Sequence, residues 1–231
     1  KLYEEINYMI ENLITVSNYT GRYLHGISIT LYMTVLCVTG GFLLSIPLAL
    51  MKISKIKVLR AIGFIYTDIF RSVPALVILY ISYFAIPSVF KITISASSAA
   101  FITLSMVSGA YVSEALRGGV EAIDVGQKEA AKALGVSYRR TMFDIVLPQS
   151  LRAILPALVN ETIGNLKSTS LISIIGVTDL MRVSRQVMAD TYIMFEPLIV
   201  AAIAYYVLVK MLSYFAQKLE VRLSRSARKL A

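Results

Sequence analysis

Residues 26–51 read GISITLYMTVLCVTGGFLLSIPLALM, 26 positions without one charged side chain. A bilayer's hydrocarbon core is about 30 Å thick and takes roughly 20 apolar residues to cross as a helix. Two further runs approach or meet that length: Ser72–Phe90 is uncharged over 19 residues and Ile92–Ser113 over 22. Over all 231 residues the chain is 57% hydrophobic and 16% charged, with a mean hydropathy of +0.70. A soluble domain carries about 25% charged residues. A soluble globular protein is therefore excluded, and the chain is an all-α polytopic membrane protein.

Working outward from these runs, five spans are expected. They lie near Tyr23–Met51, Leu59–Phe90 with a break at Arg71–Pro74, Ser97–Leu116, Ile154–Ile175 and Glu196–Gln217. The stretch Arg117–Arg152 is too charged for lipid, and Val177–Phe195 is an amphipathic connection. Basic residues favour the cytoplasmic side. Lys52, Lys55, Lys57 and Arg60, six basic residues of the central loop, and Lys218, Arg222, Arg225, Arg228 and Lys229 all fall on one face, 15 of the 23. The opposite face has Lys1, Arg22, Lys91, Lys167, Arg182 and Arg185. This bias predicts an amino terminus outside, a carboxyl terminus inside, and a multi-pass protein of the cell membrane.

Five spans occupy most of the length and leave no room for a soluble catalytic domain. A single cysteine, Cys37, excludes a disulfide framework, and the lone His25 offers little to a metal, so no metal site is expected. Cys37 is read as a small buried apolar residue. The opening Lys1-Leu2-Tyr3-Glu4-Glu5 lacks a cleaved-signal pattern. The net charge of +9 follows the membrane rather than a nucleic-acid partner, and the basic tail reads as an anchor to anionic headgroups.

The central loop carries GQKEAAKALGV at residues 126–136. Its Ala, Glu, Lys, Gln and Leu favour helix and Gly135 suits a helix end, predicting a short helix over Val125–Leu134. Pro148 is expected to interrupt any helix that follows. On pattern alone this is either a connecting helix or, given the small Ala130, Ala131 and Ala133, a surface for a closely approaching partner.

Glu129-Ala130-Ala131, three residues, Gly135, nine residues, then Ile145-x-Leu147-Pro148 resembles the EAA loop of ABC importer permeases. Other words are similar to the polar amino-acid branch of that family: Asp68-Ile69-Phe70-Arg71-Ser72-Val73-Pro74, the run Ala110–Gly119, Gly126-Gln127, Leu147-Pro148-Gln149 and the run Leu166–Leu171. The family more often has Gly-Thr where this chain has Ser72-Val73. The resemblance covers about Tyr23 to Phe215. It implies a type I importer transmembrane domain over residues 1–231, with a cytoplasmic coupling loop at about 117–152. It also implies two ATP-binding subunits at the cytoplasmic face, a second permease subunit and an external solute-binding protein. Glu129, Ala130, Ala131 and Gly135 would couple to the ATPase, which holds the ATP and magnesium. No Gly-x4-Gly-Lys-Ser/Thr phosphate cradle occurs in the sequence, so this chain is expected to hold no cofactor and to be no enzyme.

Ionisable groups inside spans are costly and mark function by default. Glu161 sits within the fourth span beside Asn160, with Gly164 and Asn165 at i+3 and i+4 on one helix face. A guanidinium or ammonium is the natural complement of such a carboxylate; the alternative is a protonated or internally paired glutamate. Asp68 and Arg71 either neutralise one another or, beside the break at Pro74, meet a substrate's α-ammonium and α-carboxylate. Thr67 and Ser105 are further wall candidates, although span hydroxyls often serve helix packing. Glu114 and Arg117 read as a salt bridge at the head of the loop. These residues point to a permease for polar, cationic amino acids (arginine, lysine or histidine in character). The alternative is an ion-gradient transporter or channel with Glu161 and Asp68 as ion sites.

Overall fold

The computed structural model describes residues 2–228, with side chains described for residues 3–218. Among the described residues the chain is helical, without strands. In chain order the helices are α1 (Leu2–Ser17), α2 (Thr20–Ile53), α3 (Lys57–Ser72), α4 (Ala75–Phe90), α5 (Ala96–Glu121), α6 (Val125–Ala133), α7 (Tyr138–Ala153), α8 (Leu155–Ile175), α9 (Leu180–Thr191) and α10 (Phe195–Arg228). The tail residues Arg222, Arg225, Arg228 and Lys229, expected to anchor to headgroups, and Lys1 lie outside the described side chains.

Three helices, α2, α5 and α10, are each long and apolar enough to cross a membrane. The second expected span is a bent pair, α3 and α4 meeting at 103°; the fourth, Ile154–Ile175, corresponds to α8, which follows α7 of the charged stretch at a bend of 49°. Counting each pair as one span gives five. The break between α3 and α4 falls at Val73–Pro74, where Val73 is held extended (ψ 131°) because the proline ring crowds the helical conformation of the residue before it.

Pro148 does not end a helix as expected. α7 runs through it by widening to a π turn over Thr141–Val146, in which the Leu147 N–H reaches back to the Met142 carbonyl. Proline lacks an N–H and crowds the carbonyl four residues upstream; the wider turn absorbs both defects. The same device precedes Pro87, with a π turn over Ile81–Ala85 and Ile86 N–H bonded to Ile81 O.

The core is α2 laid against α5. Small residues let the backbones meet: a Cβ on Gly41 would stand 2.6 Å from Ser108 Cβ, and one on Gly40 2.6 Å from Ser105 Oγ. Ser105 donates to the Cys37 carbonyl at 3.2 Å. Around this pair one cluster joins Met33, Cys37, Leu79, Leu104 and Ile172, and another joins Ala49, Val112, Leu116 and Ile154. A third unites α1, α2, α9 and α10 through Val16, Tyr23, Val183, Val187 and Ala201. Much of α10 is left uncovered by the rest of the chain.

The expected amphipathic connection contains α9. Gly176 takes a left-handed turn (φ +103°), and Asp179 then caps α9 by accepting from the Met181 and Arg182 N–H groups. The Leu180 N–H bonds Thr30 Oγ1 of α2 at 3.1 Å, and the Tyr205 hydroxyl of α10 donates to Asp179 at 3.2 Å. Burial pushes the Asp179 carboxyl up to about 6, against the lowering pull of these donors.

Candidate functional site

Glu161 and Asn165 lie one turn apart on α8, and the Ser108 hydroxyl of α5 stands beside Glu161. Asn165 Oδ1 is buried without a hydrogen-bond partner, although such groups are normally satisfied. Gly164 borders open space; a Cβ built there meets nothing within 4 Å. Asn160 is exposed on the neighbouring face. The chain thus gathers a carboxylate, an amide oxygen and a hydroxyl beside a gap along a spanning pair of helices.

Asp68, Arg71 and Thr67 belong to a different place. They line a cavity of about 500 Å³ with Phe64, Ile65 and Glu114, and Glu161 is not part of its wall. Among the described residues no ion pair joins Asp68 to Arg71; the Arg71 guanidinium sits over the Tyr111 ring, 5.3 Å from its centre. Thr67 is buried and its hydroxyl donates back to the carbonyls of Gly63 and Phe64. Ser105 is likewise occupied in the α2–α5 contact.

The Glu114–Arg117 bridge is present (2.9 Å) and forms part of a larger network. Lys52, counted from the sequence among the basic residues on the cytoplasmic face, is buried. Its Nζ donates to Glu114 Oε1 at 2.7 Å and Ser113 Oγ at 2.8 Å, while Arg117 also bridges Glu121 at 2.6 Å. Gly63 of α3 leaves room for the Lys52 stem, since a Cβ there would lie 3.0 Å from Lys52 Cγ. One signal could have found Lys52: Gly41, Ser45, Leu48 and Lys52 recur at helical spacing, and all four are buried in α2.

The loop helix α6 is built as the spacing predicts. Asp124 accepts from the Gly126 N–H at its start. At its end Gly135 turns left-handed (φ +72°), with Gly135 N–H bonded to Lys132 O and Val136 N–H to Ala131 O, the paired bonds of a Schellman ending. Gln149 donates to Gln127, tying α6 to α7, and Lys128 donates to Val120 O of α5. Ala131 turns inward; Glu129 and Ala130 stay exposed, as do the apolar Val125, Leu134, Tyr138 and Phe143.

The family described as "Binding-protein-dependent transport system inner membrane component" matches residues 41–225. The chain is 44% identical over 200 residues to the arginine transport system permease protein ArtQ of Bacillus subtilis (strain 168), covering 87% of this chain and 91% of that protein. It is 42% identical over 215 residues to the putative glutamine transport system permease protein GlnP of Rickettsia bellii (strain RML369-C), covering 93% and 99%. A crystal structure of an amino acid ABC transporter with histidines superposes with a TM-score of 0.87 at 37% identity, covering 91% and 98%. An inward-facing MetNI methionine ABC transporter shares the fold at a TM-score of 0.76 and 19% identity. The chain belongs to the binding-protein-dependent transport family as an inner-membrane component, the permease subunit of an ABC importer.

Proposed function

We propose that this permease carries polar, cationic amino acids of the arginine, lysine and histidine kind, with Glu161 as the group that recognises the side-chain charge. The observation that carries this reading is the buried, unpartnered Asn165 Oδ1, beside the Glu161 carboxylate, the Ser108 hydroxyl and the gap at Gly164. A guanidinium offers five donors in a planar fork and meets such acceptors with charge-assisted bonds. The likeness to a permease named for arginine supports a cationic substrate. Asn160 flanks the same site. Asp68 and Arg71, with Thr67, would engage the α-ammonium and α-carboxylate at a second position along the path, and Ser105 shapes the α2–α5 wall.

In this reading residues 1–231 form one permease domain with the amino terminus outside, and residues 117–152 are its coupling element. Glu129, Ala130, Ala131 and Gly135 seat or shape the helix docked on the ATPase, and the exposed Leu134, Tyr138 and Phe143 supply apolar contact. Two ATP-binding subunits hold the ATP and magnesium, a second permease subunit completes the pathway, and an external solute-binding protein delivers substrate. This chain contributes the path and the coupling and no chemistry.

The test is arginine uptake into proteoliposomes with the partner ATPase, internal ATP and the binding protein. Uptake is expected only with ATP and ATPase. Glu161→Gln should raise the half-saturating arginine concentration about tenfold, the loss of one charge-assisted bond, with assembly intact. Uptake driven by an ion gradient without the ATPase would favour the ion-coupled alternative; unchanged affinity in Glu161→Gln would remove the site.

A further inference from the structure

Helix α1 divides into three sectors at about 100° per residue. One faces the protein: Val16 is 2% exposed within the α2–α9–α10 cluster, and Asn12 donates to the nearly buried Glu196 at 2.9 Å. A second, opposite in character, carries Asn7, Glu11 and Thr15. The third carries Ile6, Met9, Ile10 and Leu13, each left 44–49% exposed by the rest of the chain. It continues through Ile14 at 61%.

The helix that carries this sector is fastened to α2 and α10, both long and apolar enough to cross a membrane. Asn12 and Val16 fasten α1 to the start of α10, whose Phe195, Ile199 and Ile203 are uncovered, and Leu24 at the start of α2 is exposed as well. With its polar sector and 16 residues, α1 cannot itself cross a bilayer. It has the form of a helix that rests in the interface with one side in the acyl boundary. Leu2–Ser17 contains Glu4, Glu5 and Glu11 and no basic residue, so anionic headgroups do not attract it and apolar insertion is what holds it.

We propose that α1 is an interfacial lipid-binding helix, its Ile6–Met9–Ile10–Leu13 sector inserted at the boundary of headgroups and acyl chains where α2 and α10 enter the membrane. It acts as a float that fixes the depth of those two helix starts. The partner is the lipid surface itself, and zwitterionic lipid suffices.

The test places single cysteines, Asn7→Cys, Met9→Cys, Ile10→Cys, Glu11→Cys and Leu13→Cys, in a Cys37→Ala background. The complete transporter is reconstituted in phosphatidylcholine vesicles and spin-labelled. The sites chosen are exposed, so packing is spared; should Leu13→Cys fail to assemble, Ile6→Cys samples the same sector. Expected is a several-fold higher ratio of oxygen to nickel-chelate accessibility at 9, 10 and 13 than at 7 and 11, unchanged by high salt. Equal access of the nickel chelate to all five sites would place α1 in water and overturn the proposal. Shielding of 9, 10 and 13 from both probes would mean that a protein, a second copy or the binding protein, covers the sector, and would overturn it equally. Neither outcome depends on the transported substrate.

Discussion

At the scale of single residues, Lys52 shows how a charge is made tolerable at the end of a spanning helix. Its side chain is 0% exposed yet bonded to Ser113 and Glu114, and Glu114 is bonded in turn to Arg117. With Glu121 included the four formal charges cancel. Removing one member of a buried pair costs more than the pair itself contributes, because its partner is left uncompensated. Lys52→Met should therefore lower stability by about 3 kcal/mol, measured by thermal unfolding of the purified transporter. The double variant with Glu114→Gln should lose less than the sum of the two single losses, the signature of direct coupling. Additive losses would show that the two side chains act independently. Asp179 invites a pH experiment. Its folded value is raised from 3.8 to about 6, so the folded state binds this proton more tightly than the unfolded chain. That contribution to stability is fully present below about pH 4 and is lost as pH rises through about 6, at no more than about 1.4 kcal/mol per unit. In Asp179→Asn this slope should vanish from a stability profile taken over that range; an identical slope would assign the dependence to other groups.

At the scale of elements, two prolines are accommodated by widening the turn upstream, and one of them lies on the route from the coupling loop to the fourth span. The π turn over Thr141–Val146 places one extra residue between α6 and the 49° bend into α8. Losing it would rotate the start of α7 by about 100° relative to α8. Pro148→Ala restores the missing donor, and the expectation is a fall in substrate-stimulated ATPase activity with stability changed by less than about 1 kcal/mol. Unchanged stimulation would show that the register of α7 does not matter for coupling. These turns were not legible in the sequence. A proline after an amphipathic stretch reads as a helix stop, and only the packing of α7 onto α5 and α6 makes continuing the helix worth a distorted turn. What was legible followed from strong local signals: uncharged runs gave α2, α4 and α5, the stretch Arg71–Pro74 gave the break, and Gly135 gave the end of α6. Glu161 stood out as a charge amid apolar residues. Lys52 did not, because it adjoins other basic residues; its place in the row Gly41, Ser45, Leu48 and Lys52 was the one signal that set it apart. The packing of Gly41 on Ser108 was also hidden, since a Gly-Gly pair in a span has many uses. Gly41→Leu should destabilise the α2–α5 pair by about 1–3 kcal/mol through overpacking, seen as a lower unfolding temperature in detergent.

At the scale of the whole molecule, the arrangement has a polarity that the charges express. Lys55 lies between α2 and α3, and the α6 loop carries further basic residues; in the proposed orientation both face the cytoplasmic ATPase, while α1 and α9 lie at the other end of α2 and α10. If α1 faces outside, the same reversal of sides must hold at every crossing, including the two bent pairs, because five crossings place the ends on opposite faces. The chain offers a favourable background for testing this, since Cys37 is its single cysteine and is fully buried. Cysteines introduced at Asn7, Lys55 and Gln127 should therefore report alone. In intact cells stripped of any outer barrier, a membrane-impermeant maleimide should label Asn7→Cys directly, and Lys55→Cys and Gln127→Cys only after permeabilisation. If Gln127→Cys were labelled from outside, the loop could not meet a cytoplasmic ATPase, and both the orientation and the coupling role of Glu129–Gly135 would fall together. If Asn7→Cys and Gln127→Cys were labelled from the same side, α3 and α4, the one bent pair between those two positions, would be re-entrant rather than spanning. The 103° between its two arms, against 49° for α7 and α8, is the geometry that such a re-entrant hairpin needs.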